Sequence, residues 1–409
     1  MTNSGAIQGA NGAAGANGGT AVWNAGAITT LTNNGSIAGG AGAMGGAGVS
    51  NAKTIGTLTN SGTIGGGVGK TAGAGVLNAS GATITTLTNS GSLQGANGAA
   101  GGNGGTAVWN AGAITTLTNS GTIQAGQGGA AGTGLPAGSA GDAIYSAGAA
   151  ASIGTIANTG VVAGNVVIGH QSSLTVTGGS GTAFGSWSGG TIFVGAGNLT
   201  FASGNTTLAD NVYVNGGTGT VTNEGVLAIA SPETITGAFA ATSASSTATT
   251  DWLDVTVSSA TETSFALTAG AASIAGGLDI VLAKNFTLAS GQTFELVDTY
   301  GALTGSFSAF ELGGSACFAV SGHAGYWQCT GSSLYFDLTA LSPLPYGGAV
   351  DLSVVGSIAT TQMSPLGAAP LDGPIGTAVP EASTWVMLVA GFAGLGGLMR
   401  SRRTMSLSA

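Results

Sequence analysis

Residues 108–123 read VWNAGAI-TT-LTNSGTI, in which one seven-residue phrase, apolar-x-Asn-x-Gly-x-apolar, occurs twice around a two-residue spacer. The pair recurs at 22–37, and again at 49–64 with Lys53 in place of the glycine. A further copy at 87–93 has a partner that begins at Val76 and is one residue longer. The first part of the chain is therefore a repeat array, and the repeat decides the fold.

The asparagine of the second phrase marks the period of this array. It lies at Asn3, Asn33, Asn60, Asn89, Asn119 and Asn158, at separations of 30, 27, 29, 30 and 39 residues. Within a phrase the two apolar residues, Asn and Gly lie two positions apart, so they project from one face of a strand. A single strand cannot bury that face, but strands of successive repeats stacked at about 4.8 Å enclose a continuous interior. The sequence therefore predicts an all-β parallel β-helix, or β-solenoid, of 27–30-residue repeats.

The phrases also predict how each turn is divided. Two short strands come from the two phrases, the spacer (Thr29-Thr30 or Thr115-Thr116) turns the chain, and a glycine-rich stretch such as 95–105 forms a third side. An inward Asn without a partner costs about 1–3 kcal/mol, so we expect each Asn to bond the equivalent Asn of the next turn. The glycine two residues later permits a bend that a Cβ would obstruct.

Composition limits the class of partner. Charged residues are 5% of the 409 residues while 43% are hydrophobic, which is unlike a disordered chain in spite of 79 glycines. The net charge is −9, yet residues 1–141 contain no acid and only two bases, Lys53 and Lys70. No basic stripe exists to meet phosphates, so nucleic acid is not an expected partner.

We divide the chain into five parts. They are regular solenoid repeats at 1–164, an irregular continuation at 165–235, a β-rich cap at 236–340, a Pro/Gly linker at 341–379 and a sorting signal at 380–409.

The two cysteines, Cys317 and Cys329, lie in a segment that reads as a hairpin. A disulfide across it is plausible in an exported protein, and two free buried thiols are the alternative. No metal or cofactor is expected elsewhere. His170 and His323 lack neighbouring ligands, and calcium-binding nonapeptide repeats need an Asp in each loop, whereas only Asp142 follows a glycine-rich run.

Parallel β-helices often carry polysaccharide lyases and hydrolases, so an enzyme is one rival function. Asp251 and Asp254 are a close acidic pair, but a spacing of three does not place them on one face of a strand. We therefore expect no enzyme; a catalytic alternative requires a carboxylate-lined groove somewhere in 165–340.

Outward side chains offer two binding alternatives. Thr-Leu-Thr recurs at 30–32, 57–59, 86–88 and 116–118. These threonines form two outward columns, about 6.8 Å apart along the strand and about 4.8 Å between turns. The array resembles the face of β-solenoid ice-binding proteins, unless the loops 38–48 and 94–105 fold across it. Trp23 and Trp109 should also point outward, where they either stack on sugars or cover a neighbouring loop.

Met1 is followed at once by the second half of a repeat phrase. Residues 2–37 match residues 88–123 at 31 of 36 positions, which indicates duplication of a block of repeats. We therefore expect the chain to begin inside a longer gene product.

Near the C-terminus, Ala382 to Met399 are 18 uncharged, mostly apolar positions that follow Glu381. As a helix they would measure about 27 Å, enough for one transmembrane span. Arg400, Arg402 and Arg403 follow immediately. By the positive-inside rule the tail stays in the cytoplasm and the body lies outside.

The same segment carries a family resemblance. Val379, Pro380 and Glu381 open the run VPEASTW, followed by the apolar stretch and the arginines; this order resembles the PEP-CTERM sorting signal. The resemblance implies processing by an exosortase in the inner membrane of a Gram-negative, exopolysaccharide-producing bacterium, and release to the surface or extracellular space. Residues 291–338 also resemble the ends of autotransporter-type solenoid passengers. We therefore expect a secreted structural protein or adhesin of the cell surface or biofilm matrix, with ice or glycan binding through the threonine face as the alternative.

Overall fold

The computed structural model describes residues 1–171, 173–230, 232–242, 251–258, 266–321, 323–344 and 347–356. In these residues the chain is built from β-strands, with one 3₁₀ turn at Asn215–Gly217. Strands of successive turns pair in parallel and in register, which confirms the predicted β-solenoid.

Each regular turn has three strands, which define three sides of the stack. Side 1 contains Val22–Asn24, Val49–Asn51, Val76–Asn78, Val108–Asn110, Asp142–Ser146 and Asn165–Ile168. Side 2 contains Thr2–Asn3, Ala27–Asn33, Thr54–Asn60, Thr83–Asn89, Ala113–Asn119, Ser152–Asn158, Ser173–Thr177, Asn198–Ser203 and Thr220–Asn223. Side 3 contains Ala6–Gln8, Ser36–Ala38, Thr63–Gly65, Ser92–Gln94, Thr122–Gln124 and Val161–Ala163.

The predicted position of the turns was wrong in part. The Thr29-Thr30 spacer lies inside the seven-residue strand Ala27–Asn33, where it bends the strand without ending it. The corners instead fall after each asparagine, as between Asn24 and Ala27, where the Gly26 N–H donates to Asn24 Oδ1 at 3.1 Å. This local bond is the Asx turn that short polar side chains favour, and it competes with a continued strand.

Two ladders of asparagine amides run through the interior, as predicted. The first passes through Asn3, Asn33, Asn60, Asn89, Asn119 and Asn158 with Nδ2–Oδ1 distances of 2.7, 2.8, 2.8, 2.8 and 2.9 Å. The second passes through Asn24, Asn51, Asn78 and Asn110 at 2.7, 2.9 and 2.8 Å, and ends on Ser146 Oγ at 3.0 Å. Each amide therefore donates a hydrogen bond to the amide or hydroxyl of the next turn. This pairing offsets the cost of burying a column of polar side chains.

The glycine of the second phrase is required by the close approach of the turns. A Cβ on Gly35 would lie 2.0 Å from the Gly5 carbonyl oxygen, and one on Gly91 would lie 2.1 Å from that of Gly62. Side chains are therefore excluded from this corner. In the first phrase the constraint differs between turns. Lys53 occupies the equivalent place and is exposed, whereas a Cβ on Gly112 would lie 2.2 Å from the Ala82 carbonyl oxygen.

The glycine-rich stretches do not form the third side as predicted. Residues 39–48 leave side 3 and return to side 1, so that each turn contributes an outgoing and a returning segment. Backbone bonds alternate between them: Gly40 donates to Gly19, Gly46 to Gly40, and Gly67 to Gly46, each at 2.8 Å. Glycine is required because a Cβ here would lie about 2 Å from a carbonyl oxygen of the neighbouring segment. Gly69–Thr71 and Gly98–Asn103 pair as a small separate sheet in this layer.

After about residue 165 the phrases become less regular, and the glycine-rich excursion disappears. Gly185–Val194 pairs with side 3 through its first half and with side 1 through its second half. Asn205–Val214 repeats this arrangement. Side 3 and the next side 1 have therefore joined into single ten-residue strands, which shortens the repeat.

The parallel stack also continues beyond the predicted boundary at 235. Its later strands are Val226–Ile229, Glu233–Ala241, Trp252–Val257, Leu267–Ile274, Gly277–Leu282, Thr293–Thr299, Leu303–Gly305 and Ala309–Leu312. An antiparallel cap follows, made of Ser315–Ala319, Tyr326–Cys329, Tyr335–Leu344 and Gly347–Val355.

The predicted linker at 341–379 was wrong in part, because the last strand, Gly347–Val355, lies within it. Gly347–Val355 alternates between half-buried and buried residues, with Val350, Leu352 and Val354 inward, and pairs antiparallel with both Tyr335–Leu344 and Thr293–Thr299. Two nearby prolines obscured this period-two pattern. The strand covers an edge of the stack that would otherwise expose unpaired backbone groups.

No helix in the described part of the chain is long and apolar enough to cross a membrane. The predicted span at 382–399 lies outside the described residues.

Candidate functional site

The longest regular surface is a column of outward threonines on side 2. The register aligns Thr30, Thr57, Thr86, Thr116, Thr155, Thr175, Thr200 and Thr222 over eight consecutive turns. A second column beside it contains Thr2, Thr32, Thr59, Thr88 and Thr118, then Ala157, Thr177 and Ser203. The alignment of the first four Thr-x-Thr pairs is as predicted, and the first column is twice as long as the repeats indicated.

The burial pattern fixes the direction of these side chains. Leu31 and Asn33 are fully buried while Thr30 is exposed and Thr32 half-buried, so the threonines lie on the outside of the sheet. The two loops that could cover them, 38–48 and 94–105, instead bond to the equivalent glycine-rich segments of adjacent turns. Side 2 is therefore an accessible, uncharged face of hydroxyls and methyl groups.

Thr175 and Thr200 were missed because their strands lack the Asn-x-Gly frame. Thr155 and Thr222 were missed because no Thr-Leu-Thr triplet marks them, although Asn158 and Asn223 keep the frame. Thr155, Thr175, Thr200 and Thr222 lie in strands of different length, and the alignment appears only when each is placed against its neighbour. A signal existed, since each of these threonines precedes a buried apolar or amide position by one residue.

A second feature is a row of carboxylates on side 3. Asp254, Asp279 and Glu311 are register partners on consecutive turns, and all three are half-buried. With Phe184 and Trp252 they line a groove. No sequence motif marks this row, because its members lie 25 and 32 residues apart.

Burial and mutual repulsion change the proton affinity of the row. Burial, followed by the charges of Asp279 and Glu311, raises the pKa of Asp254 to about 7. Burial also raises the pKa of Asp279, although the N–H of Gly314, 3.3 Å from its Oδ1, opposes this. A carboxyl that is protonated near neutrality beside an ionised one can act as a general acid, which is the arrangement that the enzyme alternative requires.

The acidic pair named from sequence is not brought together. Asp251 is 3% exposed at a corner, whereas Asp254 lies on the outer face of Trp252–Val257. His170 is exposed, and the His323 ring lies 6.1 Å from that of Tyr326. Asp142 accepts a bond from Asn165 Nδ2 at 3.2 Å. In the residues that the structure describes, no group of three or more His, Cys, Asp or Glu side chains is arranged to hold a metal ion.

Cys317 and Cys329 form a disulfide in the cap. They are directly opposite each other on the antiparallel strands Ser315–Ala319 and Tyr326–Cys329, and both are buried. The bond ties together this hairpin, whose Trp327 ring packs edge to face against Phe310 of the preceding strand, Ala309–Leu312.

The sorting residues lie outside the described part of the chain. These are Val379, Pro380 and Glu381 together with Arg400, Arg402 and Arg403.

Comparison of the chain with protein-family models, with curated proteins and with solved structures found no significant match.

Proposed function

We propose that this protein is an exported structural and adhesive component of the cell surface or extracellular matrix. The observation that carries the proposal is the unbroken threonine column over eight turns of a stack whose buried amides are paired from turn to turn. Such a stack is a rigid support that needs no charge or cofactor. Its hydroxyls, which both donate and accept hydrogen bonds, complement the hydroxyls of an exopolysaccharide.

Export forms part of the same proposal. The VPE motif at 379–381, the apolar segment after it and the final arginines support sorting through the inner membrane by an exosortase-type enzyme, as for PEP-CTERM proteins. After processing near Glu381, the solenoid would be released to the surface or to the matrix.

The adhesive role is tested by retention on matrix polysaccharide from the native host. The triple variant Thr57→Val, Thr86→Val and Thr116→Val removes three adjacent hydroxyls at nearly constant shape. The matched control changes the outward column of side 3, with Thr63→Val, Ser92→Ala and Thr122→Val. We expect the side 2 variant to lose retention and the control to keep it; equal retention by both would refute adhesion through the threonine face.

Ice binding is a second candidate function, favoured by the two adjacent threonine columns and by glycine-rich loops that bond to one another and not across these columns. A hydroxyl and methyl array with a fixed two-dimensional spacing can order water at a surface. Thermal hysteresis that disappears in the side 2 triple variant would support this candidate. Its absence in the unaltered protein would exclude it.

We propose no catalytic role. If the protein were an enzyme, the row formed by Asp254, Asp279 and Glu311 would be its catalytic site. The full chain is incubated with neutral and anionic polysaccharides, and new reducing ends are measured across pH 5–8. Release that is abolished by Asp279→Asn would establish an enzyme in place of a structural protein.

A further inference from the structure

The outward positions of side 1 form a stripe that the threonine surface does not include. Register aligns Trp23, Ser50, Leu77, Trp109, Tyr145, Val167, Phe193, Tyr213 and Thr236. We call this column the aromatic stripe. Seven of its nine members are aromatic or aliphatic although the column faces away from the core, and it extends about 38 Å along the axis.

The two ends of the aromatic stripe differ in whether the faces of their rings are covered by a neighbouring ring. Phe193 and Tyr213 stack with centroids 5.1 Å apart and planes 7° apart, so each ring covers a face of the other. Trp109 and Tyr145 are 5.2 Å apart but tilted by 58°. Trp23 is opposite Ser50, which offers no ring, and is 72% exposed. The first half of the stripe therefore has open ring faces.

Trp23 and Trp109 do not behave as packing residues. Trp109 remains 44% exposed despite its contact with Tyr145, and Trp23 is too exposed to cover a neighbouring loop. The residues two positions after Trp23 and Trp109 are the alanines Ala25 and Ala111, which are exposed and half-buried. Small flanking residues leave both indoles standing above the sheet, separated by three turns or about 14 Å.

Charge narrows the class of partner. The aromatic stripe contains no charged residue, and residues 1–141 carry only Lys53 and Lys70. A neutral ligand is therefore favoured over an anionic one, for which side 1 provides no row of bases. The stripe is only one residue wide. The area that it offers is therefore smaller than the roughly 800 Å² per partner that a stable protein interface buries. A linear polymer with repeated apolar faces and hydroxyl edges matches a narrow, periodic row of rings.

We propose that the aromatic stripe, from Trp23 to Tyr145, binds a neutral polysaccharide chain that lies along the solenoid axis. This deepens the proposed matrix function, on which it rests, by naming a second surface and the charge class of the glycan. Sugar rings stack on the open indole faces, while the threonine columns lie on another side of the stack.

The test is a titration of the full chain with a soluble neutral β-glucan, followed by tryptophan fluorescence and by co-sedimentation with the insoluble form. Variants are Trp23→Ala, Trp109→Ala and the double variant. The controls are Trp327→Phe in the cap and the side 3 variant with Thr63→Val, Ser92→Ala and Thr122→Val. Each outward Trp→Ala change should weaken binding about 2- to 10-fold, and the double variant should lose it. Both controls should bind as the unaltered chain does.

Three outcomes would overturn the proposal. One is undiminished binding by the double variant when its circular dichroism and melting are unchanged. Another is salt-sensitive binding to an anionic polysaccharide in place of the neutral one. A third is a dimer, seen by sedimentation, that the Trp23→Ala change dissociates, because the stripe would then be a contact between copies. Failure of the matrix role is separate: it would appear as a protein that binds the glucan in solution but is missing from the matrix fraction.

Discussion

The asparagine ladder gives the sharpest test of what stabilises the stack, and Asn89 is its best position. This side chain is fully buried. Its Nδ2 donates to Asn119 Oδ1 at 2.8 Å and to the Thr122 carbonyl at 3.0 Å, and its Oδ1 accepts from Asn60 Nδ2 at 2.8 Å. Replacement by alanine interrupts the ladder on both sides at once.

The expected cost follows from the bonds lost. Two ladder bonds contribute about 1 kcal/mol each, and Asn119 Oδ1 loses its ladder donor in a buried site, which costs about 1–3 kcal/mol more. Asn60 Nδ2 still donates to the Ser92 carbonyl at 2.9 Å, so the turn before is partly compensated. Asn89→Ala should therefore destabilise the stack by about 3–5 kcal/mol.

Urea unfolding and hydrogen exchange measure this effect. Because repeat stacks lose cooperativity, exchange resolved by segment is needed to show that protection is lost first in the turns on either side of residue 89. The matched control is Asn34→Ala, which removes an exposed Asn beside the ladder residue Asn33, two turns before Asn89. If Asn89→Ala lowers stability no more than Asn34→Ala does, the ladder is not a stabilising element and the reasoning is refuted.

Further predictions concern the corner, the carboxylate row and the cap. Gly91→Ala places a Cβ 2.1 Å from a carbonyl oxygen of the preceding turn and should lower the urea midpoint markedly. Gly5→Ala, whose Cβ would have nothing within 4 Å, should leave the midpoint unchanged. Equal effects of the two changes would refute the steric argument. Because the pKa of Asp254 in the fold, about 7, exceeds its ordinary value of 3.8, its protonation favours the folded state at low pH. Stability should fall as pH rises from about 4 to 7, and Asp254→Asn should flatten this dependence in urea midpoints measured across that range; an unchanged slope would contradict it. Reduction of the Cys317–Cys329 disulfide should destabilise the cap by about 2–4 kcal/mol. Amide hydrogen exchange should become faster in the cap and stay unchanged in the repeats. Faster exchange throughout the chain would refute a local role of the disulfide.

The sequence carried the repeat, the inward asparagines and the parallel stack because these depend on a period-two pattern repeated at nearly constant spacing. Lys53 shows that the corners are not all equivalent, because its side chain fits at a first-phrase corner, whereas a Cβ on Gly91 or Gly112 would lie about 2 Å from a carbonyl oxygen. That difference depends on the distance between successive turns, which the sequence of a single phrase does not specify. The Thr29-Thr30 spacer was wrongly predicted as the turn. The chain turns instead after Asn24, where the side chain bonds the backbone N–H of Gly26.

The candidate site was less accessible from sequence. Thr175 and Thr200 join their column only after strands of unequal repeats are aligned, and Asp254 meets Asp279 and Glu311 only through register. The aromatic stripe has the same origin, because Trp109 and Tyr145 lie in strands separated by an irregular insertion. Surfaces made from one residue per turn depend on the exact length of each loop between them, which propensity and pattern leave undetermined.

The most direct test of the account as a whole is the intact mass and location of the protein produced by its native host. The proposed function predicts a species that ends near Glu381 and is recovered from the surface or matrix fraction. A membrane-bound species that still carries Arg400 to Ala409 would contradict it, because the chain would then be a permanently anchored protein and the exosortase proposal would fall.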